Sequence, residues 1–86
     1  MNPEAPIGII ELSDVNLKCL IFKINKDNSS EILSTSITPS EGIHNDVVVN
    51  LKKATKAIRS CISEAEKKAK ISLKRNFLEV LKKWWD

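Results

Sequence analysis

Covalent chemistry needs reactive side chains that can meet, and this sequence offers few of them. Its one histidine, His44, falls in a turn-forming stretch and has no Cys/His partner at zinc-ligand spacing, so it reads as a surface residue and no metal is expected. Ser13 and Ser60 have no second histidine with which to form a nucleophile–base pair. Glu64 and Glu66 are neighbours on a solvated helix and do not converge as an acid–base pair would. Cys19 and Cys61 lie far apart in apolar surroundings and read as small core residues of a reduced, cytosolic protein rather than as a disulfide. No catalytic constellation is expected.

The elements that must position any site are plain in the hydrophobic pattern. From Asn50 to Ala69 the apolar residues Leu51, Ala54, Ile58, Cys61, Ile62, Ala65 and Ala69 follow the three-and-four spacing of one helical stripe. Asn50 is placed to cap the first turn, and Lys67, Lys68 and Lys70 crowd the end that the helix dipole makes negative. A helix with one apolar stripe needs a cover. Three strands precede it. Ile7–Leu12 is a short β-branched run, Ser13–Asn16 a turn, and Leu17–Ile24 a strand with Leu17, Cys19 and Ile21 on one face and Leu20, Phe22 and Ile24 on the other. A strand that is apolar on both faces belongs in the interior of a sheet. Residues 25–30 have hairpin-loop chemistry and 31–37 form a weaker third strand. Thr38-Pro39-Ser40-Glu41-Gly42 breaks that strand, and 43–49 leads into the helix, with Val47–Val49 briefly extended.

Composition sets the outer bounds. At 86 residues, 42% hydrophobic and 29% charged, the chain has room for one thin core. A net charge of +3 reads as a lysine-rich solvated surface. Nucleic acid is not expected, because lysines alternate with glutamates on the main helix and form no single-sign face. No signal peptide is visible, and no window approaches the ~18 apolar residues of a membrane span.

In this order the chain resembles the N-terminal part of FtsA, the actin-like cell-division protein of bacteria. The resemblance runs over residues 7–69. It is carried by Ile9-Ile10-Glu11-Leu12-Ser13-Asp14 in the place of the first phosphate loop, by Leu17–Ile24, by Thr38-Pro39-Ser40-Glu41-Gly42-Ile43, and by Val49-Asn50-Leu51 opening a helix that holds Ala57-Ile58 and Ala65-Glu66. It implies an actin-type first subdomain, with Glu11, Ser13 and Asp14 at the positions that would approach nucleotide phosphates and metal. Ser13 stands where the family has glycine and adds a Cβ where phosphate comes close, and Glu11 is a longer acid than the family's aspartate. A chain of this length leaves no room for the second phosphate loop, the adenosine loop or the opposing lobe. No cofactor is therefore expected, and ATP with magnesium would bind only were those lobes present.

Beyond residue 70 the actin-like pattern stops, although Ile71-Ser72-Leu73 could be the stub of a following strand. On a helix of about 100° per residue, Phe77, Leu78, Val80, Leu81, Trp84 and Trp85 fill an arc of roughly 160°, and Glu79, Lys82, Lys83 and Asp86 fill the opposite one. Three readings of this tail stay open: a cover for the second face of the sheet, a membrane-surface helix, and a segment with no selected role. The end of FtsA is a short basic amphipathic helix with aromatics that binds the inner membrane, and this tail is similar to it, with Phe77, Leu78, Leu81, Lys82, Lys83, Trp84 and Trp85 as the lipid-facing and anion-facing residues. The expectation is an α+β protein: an antiparallel three-stranded meander covered by one long helix (1–70), plus a short C-terminal amphipathic helix (71–86). The expected role is that of a truncated or minimal FtsA-like module, non-catalytic and cytoplasmic, peripheral at the inner membrane, whose partners are division-machinery proteins and anionic lipid. The alternative is a stand-alone protein-interaction domain with the tail packed on the sheet.

Overall fold

The computed structural model describes residues 5–73. Along the chain come β1 (Ile7–Leu12), β2 (Asn16–Ile24), β3 (Ser30–Pro39), β4 (Ile43–His44), β5 (Val47–Val48) and α1 (Leu51–Ala69). β1, β2 and β3 form one antiparallel sheet in that order, with the doubly apolar β2 in the middle. α1 lies across one face of this sheet, which makes the protein the α+β meander with a covering helix that the hydrophobic pattern predicts.

Register decides which residues the helix meets. Leu17, Cys19 and Ile21 on β2 stand opposite Leu12, Ile10 and Gly8 on β1 and opposite Thr38, Ser36 and Ser34 on β3. This is the covered face, and its three β2 residues join Ala54, Ala57, Ile58, Cys61 and Ala65 of α1 in the core. The helix side is mostly small residues, so the helix backbone comes close to the sheet; Ile58 is its one fully buried large side chain, worth about 1.5–3 kcal/mol on burial, and Ile62 packs beside it part-buried. Ser34 Oγ donates to the Ala65 carbonyl and Ser36 Oγ to the Cys61 carbonyl, each at 2.7 Å. These bonds satisfy hydroxyls that the helix would otherwise strand in an apolar layer. Between Ile21 and Phe22 the register shifts, so that Leu33 is an extra residue on β3 and packs toward the core beside Ser34.

The helix begins and ends as its sequence requires. Asn50 is extended and its side chain accepts from Lys53 N at 3.0 Å. At the other end Lys70 is left-handed, its N–H donates to the Lys67 carbonyl and that of Ile71 to the Glu66 carbonyl, the paired bonds of a Schellman cap.

Four details depart from the sequence reading. The buried arc of α1 is centred on Ala54, Cys61 and Ala65, so Ala57 at one margin is buried while Leu51 at the other is exposed. β3 runs on through Pro39, which pairs with Asn16. The proline is tolerated because β3 is an edge strand and needs no donor on its outer side. Residues 43–48 are a miniature hairpin, with Ile43 opposite Val48 and both Asn45 and Asp46 at positive φ, the backbone of a tight two-residue turn. Residues 71–73 form no strand. They turn back from the helix instead, with Leu73 N–H donating to Glu66 Oε2 at 2.7 Å.

Candidate functional site

The β1–β2 hairpin holds the three residues placed by resemblance at a phosphate loop, Glu11 at the end of β1 and Ser13 and Asp14 in the turn. Ser13 is committed to its own turn: its hydroxyl donates to the Asn16 carbonyl at 2.8 Å and accepts from the N–H groups of Asn16 and Val15 at 3.1 and 3.3 Å. Serine closes such turns because its short side chain reaches the backbone two and three residues on. Asp14 projects into solvent at the tip. Glu11 stands on the sheet face away from α1, where its carboxylate lies 3.9 Å from Lys18 Nζ, an exposed pair that contributes little to stability. Glu11 and Ser13 therefore serve different surfaces, and the turn presents no row of free N–H groups for an anion.

Among the described residues no group of three or more His, Cys, Asp or Glu side chains is placed to hold a metal. Both cysteines are free and buried. Burial, and then the neighbouring Cys61 and Glu66, push the Cys19 thiol up to about 11, so it is a poor nucleophile near neutrality. Cys61 donates weakly to the Leu17 carbonyl at 3.6 Å, and its sulfur lies 3.3 Å from the Ser36 hydroxyl. Both thiols are parts of the core.

The outer face of α1 carries a shallow open depression between Lys56, Arg59 and Lys67, with Ser60, Ser63 and Glu64 in its floor and rim. It is a solvated surface of mixed charge. His44 is exposed on the small hairpin and has no side-chain hydrogen bond among the described residues.

The feature with most capacity to bind is the face of the sheet opposite α1. On it Ile9 pairs with Leu20, Ile7 with Phe22, Phe22 with Ile32, and Lys18 with Ile37. Ile9 is 49% exposed and Ile32 and Ile37 are 65% exposed, while Leu20 and Phe22 are half-buried between them. α1, the one helix among the described residues, is on the other side. Large aliphatic side chains in adjoining rows make an apolar patch of the kind that marks a contact surface. The β2 alternation alone locates Leu20, Phe22 and Ile24 on this face; Ile9, Ile32 and Ile37 join them only through the strand register, which sequence reasoning missed.

Phe77, Leu78, Leu81, Lys82, Lys83, Trp84 and Trp85, the residues expected to meet lipid, lie outside the described residues. No described helix is long and apolar enough to cross a membrane. The fold and this surface define a small βββα unit with one covered and one open sheet face. No protein-family model matches the chain, and no curated protein matches it either.

Proposed function

We propose that this chain is a non-catalytic binding module of FtsA-like type, which works by holding apolar contacts rather than by turning over a nucleotide. One observation carries the reading: the open sheet face, with Ile9, Ile32 and Ile37 exposed beside Leu20 and Phe22. The β1–β2 turn supports it from the other side, since Ser13 is bonded into its own turn and Glu11 lies beside Lys18. The FtsA-like order of elements makes division-machinery proteins the partners on this reading, at the cytoplasmic face of the inner membrane. The basic aromatic tail supplies a tether to anionic lipid, to which each of Lys82 and Lys83 adds about 1 kcal/mol at low salt.

Two measurements test the reading together. The full chain should co-sediment with anionic vesicles at low salt, lose that binding at high salt, and bind ATP with magnesium no better than millimolar by calorimetry. Micromolar nucleotide binding that disappears in Glu11→Ala would refute the non-catalytic assignment. Indifference to anionic vesicles would refute the tether.

A further inference from the structure

We propose that the outward crest of α1 lies on the anionic bilayer, an inference that rests on reading the chain as peripheral at such a membrane and adds which side of the fold meets lipid. Along the sequence the lysines of this helix alternate with glutamates; around the folded helix they do not. The buried residues Ala54, Ala57, Ile58, Cys61 and Ala65 fix the roll of α1, and the line opposite them runs through Ser63. At about 100° per residue, Lys52, Lys56, Arg59 and Lys67 all fall within roughly 40° of that line, and all four are exposed. They form a stripe about 22 Å long with no acid in it. The two flanking acids are turned away. Glu64 stands about 100° round from Ser63. Glu66, about 60° round on the other side, is part-buried, and its carboxylate accepts from Leu73 N–H. Among the described residues none of the four cations is in an ion pair.

Shape selects a flat partner over a wrapping one. On a helix about 11 Å in diameter, the four cations lie within about 1.5 Å of a plane laid on the crest, whereas Glu64 sits about 6 Å below it. A bilayer surface therefore meets charge of one sign. The major groove of a duplex, about 8.5 Å deep, would close round the helix and bring Glu64 against phosphate. The crest has no apolar or aromatic side chain, and Ser63 is its one uncharged member, so the contact is electrostatic and without insertion. Because α1 then lies between lipid and sheet, Ile9, Ile32 and Ile37 are on the side away from the bilayer, where a protein partner would meet them.

Co-sedimentation of the full chain with vesicles of equal parts phosphatidylcholine and phosphatidylglycerol tests the assignment. Each base at an anionic surface is worth about fivefold in affinity at low salt, the equivalent of about 1 kcal/mol. Lys52→Gln/Lys56→Gln/Arg59→Gln should therefore weaken binding roughly 100-fold, with the far-UV circular dichroism retained. Lys18→Gln/Lys23→Gln/Lys26→Gln, which leaves the same net charge, should weaken it several-fold at most. With the unsubstituted chain on nanodiscs, a spin-labelled lipid headgroup should broaden the amide resonances of Arg59 and Ser63 and spare the methyls of Ile32 and Ile37, which decides the matter if the α1 variant does not fold. Equal losses in the two triple variants, or broadening at Ile32 and Ile37 rather than on α1, would overturn the proposal. So would binding to duplex DNA tighter than to these vesicles at the same salt. Trp84→Glu/Trp85→Glu separates this contact from the tail. Full binding by the α1 variant and none by the tail variant would overturn the crest and leave the tether standing; the reverse would support the crest and remove the tether. Losses in both variants would support both contacts, and a full chain indifferent to these vesicles would overturn both.

Discussion

Replacing Gly42 with alanine probes how the chain enters α1. Gly42 has φ +75°, a left-handed conformation that costs a residue with a Cβ about 1–2 kcal/mol. The added Cβ would stand 2.4 Å from the Asn50 carbonyl oxygen and 2.7 Å from Ala54 N. Both are backbone atoms of the first helical turn, and neither can rotate away. Relief requires residue 42 to withdraw from the N-cap, and its carbonyl accepts from Val49 N at 2.8 Å and from Asn50 N at 3.1 Å. Losing those two bonds costs about 1 kcal/mol each. The expected destabilisation is therefore about 3–4 kcal/mol, large against the roughly 5–15 kcal/mol that hold a typical domain. Urea titration followed by far-UV circular dichroism measures it directly. Gly8→Ala is the matched control, because among the described residues its Cβ would meet only the Leu73 side chain, closest at Cδ1, the far end of a side chain that can change rotamer for about 0.5–1.5 kcal/mol. A Gly42→Ala loss under about 1 kcal/mol, or one no larger than that of Gly8→Ala, would refute this account of the N-cap.

Two further outcomes follow from the core. Ile58 is 1% exposed between helix and sheet, so Ile58→Ala should cost about 2–5 kcal/mol in the same titration, and a loss under about 1 kcal/mol would mean that α1 does not pack as described. Burial raises the folded Cys19 pKa from an ordinary thiol value of 9.0 to about 11, so its contribution is fully present below pH 9 and is lost as pH rises to about 11. The loss amounts to about 2–3 kcal/mol; subtracting the alkaline stability profile of Cys19→Ala isolates it, and identical profiles would show that the thiol is not protected.

Much of this fold was legible because its signals are local. The two apolar faces of Leu17–Ile24 require a central strand, Asn50 has the side chain of an N-cap, and Ser13-Asp14-Val15-Asn16 has the chemistry of a self-bonded turn. What escaped depends on pairing across the chain. Strands of two residues, such as Ile43–His44 and Val47–Val48, are too short for any periodicity, and only the Asn45-Asp46 pair signals their hairpin. The roll of α1 about its axis, which buries Ala57 and exposes Leu51, is fixed by hydroxyls on a strand 25 and 31 residues away. The open face could be read from β2, but its full extent, from Ile9 to Ile37, exists only once register is known.

Those two serine hydroxyls have a consequence for how helix and strand can move past each other. Ser34 and Ser36 are two residues apart on an extended strand, a step of about 6.7 Å, and Ala65 and Cys61 are four apart on a helix, a step of about 6.0 Å. The two scales run in opposite chain directions and nearly coincide, as on a vernier. Sliding α1 by one residue would take both carbonyls out of reach together, so the lateral position of the helix is quantised rather than continuously adjustable. The scales also drift, by about 0.7 Å per step. At the next graduation, Thr38, the hydroxyl is buried and finds no partner among the described residues. The match is good for two marks and fails at the third, and those two marks set where the helix must rest.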